Sequence, residues 1–496
     1  MFHIRVVKTA SGAQAVQVVY YRDRKRNVFK HVGSAKTKEG LESLKLAAQD
    51  LIDHYIPPLP LTEPVKSDNV LVLNKTEFLG VYYSFLYEVL SALHSQIGFG
   101  KIKERLLLDL VIMRIMEPAS KLRSMELLQD YFGIGHQRQN YYRSACKWMG
   151  LKPVIEASSV DFATRHYGFN FDLLFYDVTT LYFETFDEDE LRKTGFSKDN
   201  KSQQPQILVA LMVTKEGLPI AYEIFPGNTF EGNTIIPVVK KFTEKYAVQE
   251  FTVVADAAMI SMANIEQLMQ NSIHFIVGAR LANLSSSLID QIDKSIGRED
   301  GNSIRIKTDN GALICNYSIS RYRKDKYEME KQIEKARIII QHPSKNRKPK
   351  FTKSDGAIMQ LNEALIVKTT KLLGIKGYYT DLKESVASNQ TVIDRYHELY
   401  RIEQAFRMSK SDLQTRPIFH YKEEPIKVHL LICFMALVVS KHIELRTGVS
   451  IKRFITESKK ITDARLLNKI TGKEIKIRTQ LSPQILQILK SLNLPH

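Results

Sequence analysis

The chain has 496 residues, 44% of them hydrophobic, which is enough for about two to four domains with cores of their own. Its 71 lysines and arginines against 54 acidic residues give a net charge of +17, which favours a polyanionic partner: nucleic acid first, an anionic membrane surface second. The longest apolar run, Leu430 to Val439, is about half of what spans a bilayer, so it predicts a buried helix and no membrane partner.

The N-terminus and the cysteines favour a cytoplasmic protein. The first residues, MFHIRVVKTASG, have no apolar core of a secretory signal peptide. Cys146, Cys315 and Cys433 lie far apart without a CxxC pair, so they predict neither a zinc site nor a disulfide framework.

Residues 1–66 predict an N-terminal β-hairpin, a helix and a linker. Short strands turn at Ser11-Gly12, and a basic cluster at 22–26 precedes the next strand. Such a hairpin could lie on DNA, and a solvated turn explains the same charges equally well. Thr37 then precedes an amphipathic helix, and the Pro-rich stretch at 57–64 predicts the first boundary.

Residues 67–170 read as helices separated by turns. Several cations on these helices would suit a helix-turn-helix-like domain that binds DNA ends, and a plain helical packing domain is nearly as probable. These cations are Arg105, Arg114, Lys121, Arg123, Arg138 and Arg143.

From 171 onward strands and helices alternate, which predicts an α/β fold. Three antiparallel strands come first, and later strands alternate with helices, as in a ribonuclease-H-like mixed sheet. We assign this core to residues 171–280 and 376–440. Residues 281–375 are strand-rich at first and then strongly basic, so we expect a β-rich, basic insertion there.

The last predicted region is basic. It covers residues 441–496, and its stretch from 451 to 496 has ten lysines and arginines against three acidic residues. We expect this region to contact DNA, and a solvated tail is the alternative reading.

Two aspartates interrupt apolar strands of the predicted core. Asp177 lies within LLFYDVTTLYFE, and Asp256 ends the apolar run of FTVVADAAM. An ionised carboxylate in an apolar setting needs a partner, although a lone aspartate often caps a backbone turn. In the predicted strand order the first and fourth strands are neighbours, so the two carboxylates would meet and repel unless a cation joins them. Hard divalent cations prefer carboxylate oxygens, which points to Mg²⁺ or Mn²⁺.

A third carboxylate could come from the predicted helix TVIDRYHELYRIEQAFRMSKSDL. On one continuous helix, Tyr396, Glu403, Arg407 and Lys410 share a stripe next to the apolar face. The spacing fits a catalytic Glu403 and also fits an ordinary surface ion pair between Glu403 and Arg407, so it leaves both open.

These motifs together resemble the DDE transposases of bacterial insertion sequences, most nearly the IS-four superfamily. The residues concerned are YDVTTLYFE, VVADAAMIS, the spacing Y-(6)-E-(6)-K at 396–410, and RPIFHYKEEPIKVHLLICFMAL. The resemblance implies Asp177, Asp256 and Glu403 as catalytic and metal-binding residues, and Tyr396, Arg407 and Lys410 as DNA contacts. One position departs, because Leu399 stands where the family motif has arginine; Arg401 or Arg407 could substitute.

The function that the resemblance implies is transposition by two divalent ions, Mg²⁺ or Mn²⁺. Water would cut double-stranded DNA at the terminal inverted repeats, and the 3′ hydroxyls would then join target DNA within a homodimer or higher oligomer. A nuclease of the same fold that cuts without joining, and a former transposase that only binds DNA, are the competing hypotheses.

Overall fold

The structure is a computed structural model that describes residues 2–22, 25–55, 73–196, 201, 203–248, 250–259, 261–309, 311–342, 349–355, 358–469 and 472–495. The predicted Pro-rich linker at 57–64 lies outside the described residues, as does Arg24 of the basic cluster. The chain divides into two compact units. The terminal unit comprises 1–89, 126–135 and 455–496, and the central unit comprises 90–125 and 136–454.

The N-terminal residues form a small sheet covered by one helix. The antiparallel strands are, in order, β1 (Phe2–Lys8), β2 (Gln14–Arg22) and β3 (Lys25–Ala35). Helix α1 (Lys38–Tyr55) begins after Thr37, whose hydroxyl accepts a hydrogen bond from the Gly40 amide at 3.2 Å. Leu44 and Ile52 of α1 pack on the sheet, so these elements have a core of their own.

The stretch from 76 to 167 contains one strand followed by helices. Its elements are β4 (Thr76–Tyr82), α2 (Ser84–Ile97), α3 (Arg105–Met116), α4 (Lys121–Phe132), α5 (Arg138–Trp148) and α6 (Lys152–Tyr167). The sequence predicted helix from about 76 onward, which is wrong for 76–82, where the chain forms a strand, and agrees with the helices from Ser84 onward. Arg123, Arg138 and Arg143 are exposed. Arg114 and Lys121, predicted among the DNA-reading cations, are instead buried, because the turn after α3 folds over them.

The core of the central unit is an eight-stranded mixed sheet, which confirms the α/β prediction. Its strands are β5 (Leu173–Tyr182), β6 (Gln206–Val213), β7 (Pro219–Pro226), β8 (Thr252–Ala255), β9 (His274–Ala279), β10 (Ser303–Thr308), β11 (Gly311–Tyr317) and, after the hairpin β12 (Thr352–Asp355) and β13 (Ile358–Leu361), β14 (Ile375–Thr380). They are ordered β10-β11-β14-β9-β8-β5-β6-β7. The pairs β5–β8 and β8–β9 are parallel and the other pairs are antiparallel.

Helices accompany the strands of the central unit from β5 onward. They are α7 (Ile235–Tyr246), α8 (Met262–Gln270), α9 (Ser286–Ser295), α10 (Ile319–Gln341), α11 (Glu363–Lys371), α12 (Asn389–His397), α13 (Tyr400–Ser411) and α14 (Glu423–Thr447). Helices α7 and α8 form the crossovers that parallel neighbours require. Helix α12 contacts β8, β9 and β14, whereas α13 contacts β5 and β6.

The segment predicted as a β-rich insertion, 281–375, is not predominantly β. Strands β10 and β11 extend the main sheet through β14, and β12 and β13 form a separate hairpin. Most of the other described residues of this segment belong to α9, α10 and α11. Helix α10 accounts for the first part of the basic run, since pairs such as Arg321–Asp325 at 3.3 Å support a solvated helix. The sequence reading treated that run as charge alone and missed its i, i+4 pattern. The second part, at 345–348, lies outside the described residues.

The apolar run from Leu430 to Val439 lies in α14, a helix long and apolar enough to cross a membrane. Its most apolar 18-residue window has a mean hydropathy of 1.8, and 94% of that window is buried inside the protein. Helix α14 packs on α3, α5, α13 and β7, which confirms the prediction of a buried helix. The helix also runs across residue 440, where the sequence reading placed a boundary.

The C-terminal residues are folded. After α15 (Ile451–Ser458), strands β15 (Asp463–Asn468) and β16 (Lys473–Arg478) complete a sheet with β4, and α16 (Pro483–Ser491) follows. Asp463 is buried, and its carboxylate accepts hydrogen bonds from Arg478 at 2.7 and 2.9 Å. Lys476 lies 3.2 Å from the same carboxylate. Two cations of the predicted DNA-binding region are therefore neutralised within the fold.

Candidate active site

Asp177 and Asp256 lie beside each other because of the register of two parallel strands. Tyr176 of β5 pairs with Ala255 of β8, and each aspartate is the next residue. Neighbouring strands are about 4.8 Å apart, and side chains in register point to the same face. Asp177 is half-buried and Asp256 is exposed. The two aspartates are thus neighbours near the centre of the sheet, in agreement with the strand order expected from the sequence.

Each aspartate is held by the backbone next to it. Asp177 Oδ1 accepts a hydrogen bond from the Val178 amide at 2.7 Å, and Asp256 Oδ1 accepts one from the Ala257 amide at 2.7 Å. A backbone amide carries no net charge, so these two contacts hold the side chains without neutralising the carboxylates.

Tyr396 connects α12 to Asp256. Its hydroxyl donates a hydrogen bond to Asp256 Oδ1 at 3.1 Å, and its ring lies edge-on to Tyr378 with centroids 4.9 Å apart. Gly278 of β9 makes room for it, since a Cβ there would lie 2.5 Å from the Tyr396 hydroxyl. The buried Tyr396 thus contacts an acidic side chain in this structure, and its contact with DNA stays a prediction.

Lys376 of β14 is a site residue that the sequence reading missed. Its Nζ lies 4.5 Å from the ring centroid of Tyr396 and 5.6 Å from that of Tyr378. Burial and the nearby Arg321 lower the pKa of Lys376, while the carboxylates of Asp256 and Glu403 act in the opposite direction. A single lysine within the apolar strand IKGYYT is the same kind of signal as Asp177.

Glu403 of α13 belongs to the same electrostatic neighbourhood. Burial raises the pKa of Tyr396, and the charge of Asp256, its hydrogen bond and the charge of Glu403 raise it further. Glu403 also acts on Lys376, as Asp256 does. The apolar side of α13, through Ile402 and neighbouring residues, packs toward β5 and β6, while Glu403 stays exposed. The charge of Glu403 thus acts on Tyr396 and Lys376, the same two side chains on which Asp256 acts.

The three acids do not form a closed metal cage. Within the part of the chain that the structure describes, no group of three or more histidine, cysteine, aspartate or glutamate side chains is close enough to hold a metal ion. The donor chemistry still fits a hard divalent cation, because all three groups supply carboxylate oxygens and two of them lie in register.

The predicted single helix around Glu403 is two helices. Helix α12 ends at His397 and α13 begins at Tyr400, so Tyr396 and Glu403 do not share a helical stripe. Leu399 is buried at the break. The sequence HELYR has no glycine or proline there, which explains why the interruption was not predicted.

The remaining predicted DNA contacts lie on α13. Arg407 is exposed and Lys410 is half-buried. Arg401, considered as a substitute for the arginine missing at 399, lies 3.5 Å from Glu398 and packs against Gly217 in the β6–β7 turn. Of the two substitutes, Arg407 is the one open to solvent on the helix that carries Glu403.

The sequence matches a family model described as a transposase DDE domain over residues 170–439, more than half of the chain. The chain belongs to the DDE transposase family. Membership makes it an enzyme that cuts and transfers nucleic acid, and it confirms the coarser part of the resemblance noted above. The matched residues include β5, β8 and α13 and thus all three acids of this DDE transposase.

Two further comparisons add little. No curated protein sequence matches this DDE transposase. A solved structure described as a piggyBac transposase synaptic complex with hairpin DNA is 10% identical and covers 76% of each chain, with a TM-score of 0.39. A score that low carries no conclusion about fold or function.

Proposed function

We propose that this DDE transposase cuts DNA at transposon ends and joins the 3′ hydroxyls to target DNA, with Asp177, Asp256 and Glu403 as its catalytic carboxylates. The observation that carries the proposal is the register of β5 and β8, which brings two acids together inside the family-matched stretch. Glu403 supports it by sharing their electrostatic neighbourhood.

The finer fold and origin are part of the proposal. The order β7-β6-β5-β8-β9, with antiparallel pairs before β5 and parallel pairs after it, supports a ribonuclease-H-like core. The spacing of Tyr396, Glu403 and Lys410 supports a bacterial insertion sequence of the IS-four superfamily. Double-stranded DNA and a second copy of the chain, or more, complete the synaptic complex.

The three carboxylates would hold Mg²⁺ or Mn²⁺. Such ions supply Lewis-acid activation of an attacking oxygen and stabilise a leaving 3′ oxygen. The side chains of this chain do the rest: Tyr396 orients Asp256, and Arg407 and Lys410 hold DNA phosphates without reading sequence. Lys376 adds a cationic side chain on which the charges of Asp256 and Glu403 act.

Cleavage and joining assays test the catalytic roles. The substrate is a plasmid with the gene and its flanking DNA, and the variants are Asp177→Asn, Asp256→Asn and Glu403→Gln. Each variant should lower the cleavage rate by about a thousandfold, or ~4 kcal/mol of barrier, because each removes a charged donor. Asp394→Asn, an exposed aspartate of α12, is the matched control and should cleave normally.

The products separate the competing functions. Cut ends found covalently inserted in a target plasmid support transposition, whereas cut ends that never join indicate a nuclease. A protein that binds the ends but does not cut them in Mn²⁺ is a DNA-binding derivative. Normal cutting by Asp177→Asn would contradict the catalytic assignment.

Salt dependence tests the phosphate contacts. Arg407→Ala and Lys410→Ala should each lower the slope of log affinity against log salt by about one, because each contact releases about one counterion. Lys326→Ala, on the solvated helix α10, is the control. An unchanged slope for both α13 variants would remove these residues from the DNA interface.

A further inference from the structure

The central unit contains a cavity whose lining does not include Asp177, Asp256 or Glu403. It has a volume of about 510 Å³ and is formed by the 118–122 turn, helix α5 and the segment 414–429. Cavities of about 300 to 1,000 Å³ are typical of small-molecule sites. No role in the proposed chemistry uses it.

The floor of this cavity has two buried cations. Arg114 is 6% exposed and Lys121 is 5% exposed. Arg114 donates to the Ala119 carbonyl at 2.9 Å. Among the described residues neither cation forms an ion pair with a carboxylate, although unpaired buried charge is costly. A cationic floor of this kind would gain free energy from a bound anion.

His429 defines the orientation of the Lys121 ammonium. Lys121 Nζ lies 3.1 Å from His429 Nδ1, and His429 Nε2 lies 3.0 Å from the Thr415 carbonyl oxygen. A lysine ammonium only donates and a carbonyl only accepts, so His429 is neutral with its proton on Nε2. The imidazole satisfies one ammonium hydrogen and supplies no negative charge.

Burial and the charges of Arg114 and Lys121 shift the pKa values of the titratable groups in this cavity. Burial and the charge of Arg114 lower the pKa of Lys121 to about 7. Burial, with the charges of Lys121 and Arg114, lowers the pKa of His420 to about 4. Glu424 also lines the cavity, and its Oε2 accepts a hydrogen bond from the Cys146 thiol at 3.3 Å.

Aromatic side chains line the rest of the cavity. Tyr141 is buried in its wall, whereas Tyr142 and Phe419 are 56% and 68% exposed. Exposed rings beside cations are the surface on which nucleotide bases stack, at about 1 to 3 kcal/mol per base. The buried cations suit a phosphate and the exposed rings suit a base, which are both present in a nucleotide.

We propose that this cavity binds a single nucleotide, with its phosphate at Lys121 and Arg114 and its base against Tyr142 and Phe419. The nucleotide is either free or the unpaired end of a DNA strand. The Ile418 amide donates to the Tyr182 carbonyl at 3.2 Å, which ties the cavity wall to β5 about 16 Å along the strand from Asp177. Only the DNA-borne source rests on the proposed transposase function.

Calorimetry with the full chain tests the free nucleotide. Deoxyadenosine 5′-monophosphate should bind more tightly than deoxyadenosine or inorganic phosphate, because it fills both parts of the cavity. Lys121→Met should weaken its binding by about tenfold or more, since a charge-assisted contact is lost. Lys441→Met replaces another buried lysine, which pairs with Glu444 at 3.7 Å, and should not change binding.

Two exposed aromatic variants cover the case in which Lys121→Met does not fold. Tyr142→Ala and Phe419→Ala should each weaken nucleotide binding by about fivefold to a hundredfold, whereas Tyr327→Ala on α10 should have no effect. If inorganic phosphate binds as tightly as the nucleotide and the aromatic variants bind normally, the cavity is an anion site and the proposal is wrong.

A DNA arm distinguishes the two sources. A duplex with an unpaired, 5′-phosphorylated terminal nucleotide is compared with a blunt duplex, using the Asp177→Asn protein so that nothing is cut. If the monophosphate does not bind but the unpaired end adds affinity that Tyr142→Ala and Phe419→Ala remove, the ligand is DNA-borne. If neither probe depends on Tyr142, Phe419 and Lys121, the proposal fails, whether or not the wild-type chain cuts DNA.

Discussion

The hydroxyl of Tyr396 offers the sharpest test of the candidate active site. Tyr396→Phe removes the donor that lies 3.1 Å from Asp256 Oδ1 and keeps the ring that packs against Tyr378 and Lys376. Burial and the Asp256 carboxylate raise the pKa of Tyr396 above its usual value, so the hydroxyl is a donor at any ordinary assay pH. The variant therefore loses one hydrogen bond and little else.

The size of the effect follows from the acceptor. A hydrogen bond to a charged group contributes about 1.5–3 kcal/mol, and the exposure of Asp256 places this one at the lower end. About 1.4 kcal/mol is tenfold in an equilibrium constant. Loss of a group that orients a metal ligand weakens metal binding by about 10- to 100-fold, which agrees. We expect Mn²⁺ to bind Tyr396→Phe about tenfold more weakly.

Mn²⁺ titrations followed by electron paramagnetic resonance measure this difference, and cleavage rates against Mn²⁺ concentration give a second reading. Tyr378→Phe is the matched control, because the Tyr378 hydroxyl lies 3.2 Å from His397 Nε2 and does not touch Asp256. Equal Mn²⁺ affinity in Tyr396→Phe and the wild type would refute the idea that Tyr396 orients a metal-binding Asp256.

Three further substitutions test the packing and the charges. Gly278→Ala, whose Cβ would meet the Tyr396 hydroxyl at 2.5 Å, should lower the free energy of unfolding by about 1–3 kcal/mol and weaken Mn²⁺ binding, measured by urea denaturation and titration. Burial lowers the pKa of His94 to about 4, so below about pH 6.5 the unfolded chain binds a proton that the folded chain does not. The free energy of unfolding should therefore fall by about 2 kcal/mol between pH 7 and 5. His94→Leu should remove this loss. Burial alone would raise the pKa of Asp463, but hydrogen bonds from Arg478 outweigh it, so Asp463→Asn should cost about 3–5 kcal/mol at pH 7, and the wild type should lose this stabilisation as the pH falls.

Each of these variants has a counterpart elsewhere in the chain. Gly150→Ala places a Cβ with no atom within 4 Å and should be nearly neutral. His31→Leu changes an exposed histidine and should leave the pH dependence of stability intact. Glu77→Gln breaks the exposed pair with Lys469 and should cost less than about 1 kcal/mol. Equal effects in a variant and its counterpart would contradict the reasoning from burial.

Sequence patterns predicted the paired aspartates because a charged residue is conspicuous within the apolar sequence of a buried strand. A charged residue within a run of β-branched and aromatic residues needs a partner or a function. Two such runs, in strands expected to be neighbours, predicted that their aspartates lie close together. The register of Tyr176 with Ala255 agrees with that expectation. Lys376 is likewise a charged residue within an apolar strand and could have been found by the same rule.

The helix break and the two buried cations have no comparable signal in the sequence. The break between α12 and α13 occurs without glycine or proline, at a point where Leu399 is buried. Arg114 and Lys121 carry the charges of a DNA-binding surface, and only the three-dimensional path of the 117–120 turn shows that they are buried. Charge composition cannot distinguish a cation in solvent from one in a cavity.

The break between α12 and α13 also divides the motif mechanically. Tyr396 belongs to a helix seated on β8, β9 and β14, whereas Glu403 belongs to a helix seated on β5 and β6. Glu403 is thus carried by a helix that packs on β5, the strand of Asp177, whereas Tyr396 is carried by a helix that packs on β8 and reaches Asp256. A substitution beneath α13 should therefore move Glu403 relative to Asp177 more than it moves Tyr396 relative to Asp256.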